Sequence, residues 1–361
     1  MITRTRKVAM SGLALVSSVA LLAACSSAPS DSKPSASSDF KPCMVSDSGG
    51  FDDKSFNQLG FEGLQKASSA LGATPITVES NAETDFGPNL QSLADQGCEL
   101  IVSVGFALSA PTVEAALKNP GINYVLIDDA ADNDYNGETD APNIEPLLFD
   151  TAQAAFLVGY ASAATTQSGV VGTFGGMNFP TVAIFMDGFK QGVEYYNSQN
   201  GKSVKVLGWD GKDGSFTGGF EANDTARQIA QSLIDQGADI ILPVGGPIYQ
   251  SAAAAIKSSG KEIALIGVDA DITKTDPSVA DIVLTSVLKK IDVAVNESVT
   301  AAGEGKFAPK AYVGNLANDG VGMAPLTNFS SWIPADLQKK VDELKAQIID
   351  GKVKVTSYLS K

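Results

Sequence analysis

From residue 42 onward, short apolar runs alternate with stretches whose apolar residues recur at helical spacing. Residues 44–46, 75–79, 100–104 and 124–127 read as strands, and 56–71, 89–96 and 111–118 as helices. The strand runs are apolar at successive positions. Strands of that kind are buried on both faces, which predicts a parallel sheet covered by helices. The rhythm then restarts, with strands at 170–174, 204–209, 240–244 and 264–268 and helices at 151–166, 182–197, 223–236 and 248–258. A strand at 282–287, a helix to about 302 and a helix at 334–349 follow. Two such series predict two similar lobes. The Gly-rich stretch 208–220 reads as a long loop near the mouth of the second.

Open parallel sheets bind ligands beyond the carboxyl ends of their strands. Asp47-Ser48-Gly49-Gly50, Gly105-Phe106 and Asp128-Asp129 follow strands of the first series. Gly175-Gly176, Trp209-Asp210, Gly245-Gly246 and Asp269-Ala270-Asp271 follow strands of the second. A single βα turn favours Gly and Asp for turn reasons alone. Their recurrence after nearly every strand of both series points to an interlobe cleft.

The amino terminus has a different pattern. Arg4, Arg6 and Lys7 precede an apolar stretch from Val8 to Ala24, which ends Leu22-Ala23-Ala24-Cys25. This is the layout of a secretory signal, and its ending resembles the bacterial lipobox. Cleavage before Cys25 and lipid on the Cys25 sulfur are expected, which would anchor the protein to the outer face of the cytoplasmic membrane. Residues 25–40 are Ser-rich with Pro29 and Pro34, too poor in apolar groups to pack, and read as a tether.

The 361 residues suit two lobes, and 44% hydrophobic with 19% charged residues is globular composition. The net charge of −15 argues against a nucleic-acid partner, which would call for a basic surface. The chain has no histidine. That removes the commonest general base and the usual zinc ligands, so neither an enzyme nor a metal site is expected. No Walker A or dinucleotide fingerprint is present, and no cofactor is expected. Cys43 and Cys98 sit at or before the starts of two strands that neighbour each other in a doubly wound sheet. Outside the cytoplasm a bridge between them is expected, with two buried free thiols as the alternative.

Longer motifs carry a family resemblance. Asp47-Ser-Gly-Gly-Phe-Asp-Asp-Lys-Ser-Phe-Asn57 is followed by Gly60-Phe-Glu-Gly63, Ala155-Phe-Leu-Val-Gly-Tyr160 and Val171-Gly-Thr-Phe-Gly-Gly176. Gly188-Phe-Lys-Gln-Gly192, Ile266-Gly-Val-Asp269 and Thr285-Ser-Val-Leu-Lys289 follow in order. On these motifs the chain resembles the basic membrane protein family of substrate-binding lipoproteins of ABC transporters. The resemblance implies an α/β fold of the type I periplasmic-binding-protein kind, with two Rossmann-like lobes joined by three crossovers. Residues 41–149 and 282–304 are expected in the first lobe, and 150–281 and 305–361 in the second. A monomer is expected, with an ABC permease and its ATPase as partners.

The resemblance also implies a purine nucleoside as cargo, its base held between one aromatic ring from each lobe. Phe56 matches the first ring. Trp209 is the first choice for the second, with Phe216 and Phe220 as rivals in an extended loop. Asn57 and Asp128 suit the edge of the base, and Asp269 and Lys289 match the positions that hold the ribose. Asp47 and the backbone around Gly245 are second choices, while Asp53, Lys54 and Asp271 read equally well as turn residues. A sugar or other heterocycle as cargo, a sensor lipoprotein and a nucleosidase are the alternatives.

Overall fold

The computed structural model describes residues 39–360. The signal segment, Cys25 and all but the last residues of the tether lie outside them. The first sheet is built by β1 (Pro42–Val45), β2 (Ile76–Val78), β3 (Leu100–Val104), β4 (Asn123–Ile127) and β5 (Ile144–Phe149). Helices α1 (Phe56–Leu71), α2 (Phe86–Asp95) and α3 (Ser109–Lys118) connect its strands. The chain then enters α4 (Thr151–Thr165), β6 (Val170–Gly175), α5 (Pro180–Asn200), β7 (Lys205–Leu207) and α6 (Asp224–Asp235). It continues with β8 (Ile240–Val244), α7 (Ile248–Ser259), β9 (Ala264–Asp269), the short α8 (Ile272–Thr275) and β10 (Val283–Lys289). Helix α9 (Ile291–Gly303), β11 (Tyr312–Gly314), β12 (Val321–Met323) and α10 (Leu337–Ile349) complete it.

The sheet orders are β11-β5-β4-β3-β1-β2 and β12-β10-β9-β8-β6-β7. They correspond strand for strand: β1 with β6, β3 with β8, β4 with β9 and β5 with β10. All pairings are parallel except β10 with β12. The strands have buried runs, such as every residue of β3 and β8, because helices cover both faces. This is the two-lobed α/β architecture that the sequence implies.

The lobe boundaries differ from expectation at the second and third crossovers. Residues 283–289 pair with β9 and β12, so this strand belongs to the second lobe. The chain returns to the first lobe only with α9, which packs on α1. It stays there through β11, paired with β5, and crosses back before β12. The physical reason lies in the internal correspondence. In each lobe the fifth strand completes its own sheet, and the helix after it crosses over; α4 follows β5 and packs on α5.

Helix α4 is buried at every position except Gln153 and Ala164, so it has no polar face. It lies very close to α5. A Cβ at Gly192 would stand 2.0 Å from the Phe156 carbonyl oxygen, and one at Gly188 2.3 Å from that of Ala152.

The three crossings touch one another. The Asp150 amide, just after β5, donates to the Gly314 carbonyl at 2.7 Å, and the Lys290 amide, just after β10, donates to the Gly320 carbonyl at 2.9 Å. A Cβ at Gly320 would lie 2.4 Å from the Gly314 Cα, so only glycine fits. Near the amino ends of the neighbouring strands β1 and β3, Cys43 and Cys98 are joined by a disulfide that closes a separation of 55 residues.

Candidate functional site

The carboxyl ends of both sheets face one interlobe cavity. Asp47, Phe56, Asn57, Asp128, Gly245, Asp269 and Lys289 line it. Trp209, expected at the site, does not line it.

The first-lobe wall is organised by Asp53. Its Oδ1 accepts from the Ser55 and Gln58 amides at 2.9 and 3.1 Å, and its Oδ2 from the Asn57 amide at 2.8 Å. These are amides at the start of α1 that have no intrahelical acceptor. Asp53 thus caps the helix and fixes Phe56, its first residue, at the cavity. The side chain of Asn57 is consumed inside the protein. Its Nδ2 donates to Asp47 Oδ1 at 2.7 Å and Asp53 Oδ2 at 3.1 Å, and its Oδ1 accepts from the Asp47 amide at 3.2 Å. Asn57 therefore positions two carboxylates, whereas the sequence suggested that it meets a base edge directly. Lys54 pairs with Asp52 on the surface, and Asp271 caps α8 through the Thr273 amide.

The second-lobe wall turns on the long loop after β7. Trp209 points into the lobe: it is 6% exposed, and its Nε1 donates to Asp187 Oδ1 at 2.7 Å. Phe216 packs edge-on against it at 6.0 Å. The loop folds back through bridges from Gly175 to Phe216 and from Trp209 to Gly214, and so delivers Phe220 to the cavity. Phe220 sits flush on the two glycines that directly follow β6 and β8: a Cβ at Gly176 or Gly245 would come within 2.4 or 2.7 Å of its ring. Gly245 has φ +142° and Gly105, its counterpart after β3, has φ +109°, values that favour glycine. A Cβ at Gly105 would lie 3.6 Å from Phe56. Each lobe thus seats one cavity-lining aromatic against the glycine at the same strand end, Phe56 in the first and Phe220 in the second.

Asp128 and Asp269 also occupy corresponding places, at the ends of β4 and β9. Both are non-glycine residues in the left-handed region, with φ +68° and +65°. Such strain clusters at functional sites. Between them lies Lys289, 3% exposed, its Nζ 2.6 Å from Asp128 Oδ2 and 3.7 Å from Asp269 Oδ1. The ammonium also stands 5.1 Å from the centre of the Phe56 ring and 5.2 Å from that of Phe185.

Burial disfavours the charged carboxylates here. It pushes Asp269 up to about 6 against the pull of Lys289, and Asp47 up to about 6 against hydrogen bonds from Gly49 and Asn57. Burial raises Asp128 as well, opposed by Lys289.

The lobes meet directly across the cavity. The Ser55 hydroxyl donates to Asp269 Oδ2 at 3.1 Å, and the rings of Phe106 and Phe179 meet with centres 4.4 Å apart, tilted by 40°. Phe106, Thr181, Val182 and Phe185 also line the cavity. Phe106 was visible as a residue beyond a strand end. The other three lie in the first turns of α5, where an apolar helical pattern gives no sign of which face meets a ligand. Away from the cleft, Asp132, Asp134 and Asp140 bring their carboxylates within 4.8 Å of one another in the loop after β4. Backbone amides of the same loop bond those carboxylates.

Residues 40–357 match the family described as Bmp, ABC transporter substrate-binding protein PnrA-like. An ABC transporter nucleoside-binding protein, BmpA of Lactococcus lactis subsp. cremoris, is 31% identical, with 98% of this chain and 99% of that protein covered. A CD4+ T-cell-stimulating antigen of Listeria monocytogenes is 30% identical over 94% of this chain and 96% of its own length. Among solved structures, a solute-binding protein of an ABC transporter system from Aeropyrum pernix K1 superposes with a TM-score of 0.77. It is 26% identical and covers 89% of this chain and 94% of its own.

Proposed function

This chain belongs to the Bmp family of PnrA-like ABC transporter substrate-binding proteins, and from that premise we propose that its cargo is a purine nucleoside. The observation that carries the reading is the arrangement around Lys289. A buried ammonium stands between Asp128 and Asp269 at the edge of a cavity lined by Phe56 and Phe220. A flat heterocycle suits the two rings, gaining about 1–3 kcal/mol per stacked face by analogy with bases stacked on aromatics. Vicinal sugar hydroxyls suit a site that offers a carboxylate acceptor beside an ammonium donor. Support also comes from the nucleoside-binding relative of Lactococcus lactis.

In this reading the protein captures and releases its ligand without chemistry. Contacts from the second lobe favour the state in which Ser55 meets Asp269 and Lys289 meets Asp128. A permease and its ATPase then receive the cargo. Export and lipid attachment at Cys25 rest on the Leu22-Ala23-Ala24-Cys25 ending. Among the described residues no helix is long and apolar enough to cross a membrane. Cys25→Ser should release the protein from membranes while leaving ligand binding intact.

Titration calorimetry with inosine, guanosine, adenosine and ribose tests the cargo. Saturable heat with a nucleoside and none with ribose supports it. Heat with ribose alone points to a sugar, and silence with every nucleoside at high protein concentration defeats the proposal.

A further inference from the structure

Thr181 is the second residue of α5, on the second-lobe side of the cavity. Its hydroxyl oxygen is shielded from solvent and has no hydrogen-bond partner within the protein. Buried polar atoms are nearly always paired, so each exception calls for an explanation. A threonine inside a helix usually turns its hydroxyl back onto a carbonyl three or four residues earlier. Thr181 has no helical turn before it, because Phe179 is the N-cap and Pro180 opens the helix. The other described hydroxyls in the same condition, on Ser68, Thr151, Ser162, Thr165 and Thr275, are not part of the cavity wall.

The cavity's other polar groups show what this hydroxyl adds. Asp47, Asp53, Asp128 and Asp269 are acceptors when ionised. The Lys289 ammonium is engaged by Asp128, and Asn57 is engaged by Asp47 and Asp53. Side chains in the wall therefore receive N–H and O–H groups readily but offer few neutral donors. A purine also carries acceptors, in its ring nitrogens and, in the oxopurines, a carbonyl oxygen.

We infer that Thr181 is a specificity-determining residue whose hydroxyl donates to an acceptor on the ligand's heterocycle, a ring nitrogen or carbonyl oxygen. The inference rests on the nucleoside reading. A ligand whose facing edge is purely apolar would leave this hydroxyl unpaired and bind less tightly.

The test uses the whole mature protein, the substitutions Thr181→Val and Thr181→Ser, and two measurements: nucleoside affinity and the ligand-free melting temperature. Valine keeps the shape and removes the hydroxyl. It should weaken the best-bound nucleoside about tenfold, the loss of one buried hydrogen bond. It should leave the ligand-free melting temperature equal or higher, because an unpaired buried polar atom has gone. Serine should keep affinity within about threefold of the parent. A valine protein that binds as tightly as the parent overturns the assignment. So does one that melts earlier and whose affinity loss the serine protein shares, since that pattern marks packing. If the parent binds no nucleoside, the cargo reading fails and takes this inference with it, which is a different result from a bound nucleoside indifferent to valine.

Discussion

Lys289 and Asp128 come from different lobes and share a buried ion pair of 2.6 Å. The lysine ends β10 of the second sheet, and the aspartate follows β4 of the first. Asp269, the second-lobe counterpart of Asp128, stands 3.7 Å from the same ammonium. One cation therefore offsets a carboxylate from each half of the molecule.

Lys289→Met leaves both carboxylates without their counter-charge. Removing one partner of a buried pair costs roughly 3–5 kcal/mol, less where the remaining acids can take up protons. The melting temperature should fall more at pH 8 than at pH 5.5, and nucleoside binding should weaken at least about tenfold. Equal melting of parent and variant at pH 8 would show that the pair adds no net stability.

Phe56→Ala and Phe220→Ala should each weaken nucleoside binding by about 1–3 kcal/mol. Trp209→Phe should behave differently. It removes the Asp187 hydrogen bond, worth about 1–3 kcal/mol of stability, and leaves affinity nearly unchanged because the indole lies outside the cavity wall. Calorimetry paired with thermal denaturation separates the two behaviours. A large affinity loss confined to the Trp209 variant would restore the indole as the second stacking ring.

Stability and affinity should respond to pH in opposite senses. The folded protein holds Asp269 near 6, above its ordinary 3.8, so between those values the folded state binds more protons than the unfolded. Stability from this group is present below about pH 4 and is lost as pH rises through 6, by up to about 3 kcal/mol. Asp47 acts in the same sense. Binding that needs ionised carboxylates weakens as pH falls below about 6. Asp269→Asn should flatten the ligand-free melting curve between pH 4 and 7. An unchanged slope in that variant would remove Asp269 as its source.

Reduction of the disulfide should destabilise the fold without disturbing the site. Cross-linking residues separated by 55 positions is worth about 4 kcal/mol in the chain-entropy account. Cys43 is the second residue of the buried β1 strand and Cys98 precedes β3, whereas the cavity lies at the carboxyl ends of the strands. Cys43→Ala with Cys98→Ala should lower the melting temperature and keep the nucleoside affinity of the parent. A matching loss of affinity would tie the bridge to the cleft.

The regular elements were legible wherever apolar periodicity was strong. Helix α1 and strands β3 and β8 begin and end where the pattern places them. Strand β5 escaped notice because Pro146 interrupts its run, and proline has no amide for a central ladder. Strands β11 and β12 are three residues each, too short to show a period. The acid and lysine positions at strand ends could be placed because topology fixes where strand ends go. What the sequence hides is side-chain direction. Trp209 and Phe220 are both aromatic and lie in one loop, but the turn that buries one and presents the other depends on glycines elsewhere, at Gly176 and Gly245. Asn57 looked free because its partners, Asp47 and Asp53, lie ten and four residues away in a folded-back loop.

The contact between Gly314 and Gly320 bears on how the molecule can move. The segment carrying these glycines is bonded to the residue that opens each of the other two connections, Asp150 and Lys290. Strands fastened side by side in this way resist shear and independent twisting, and leave rotation about their common line as the soft coordinate. Opening and shutting should then proceed along a single path. A bulkier residue at 320 would alter the rates of capture and escape even though it lies outside the cavity wall.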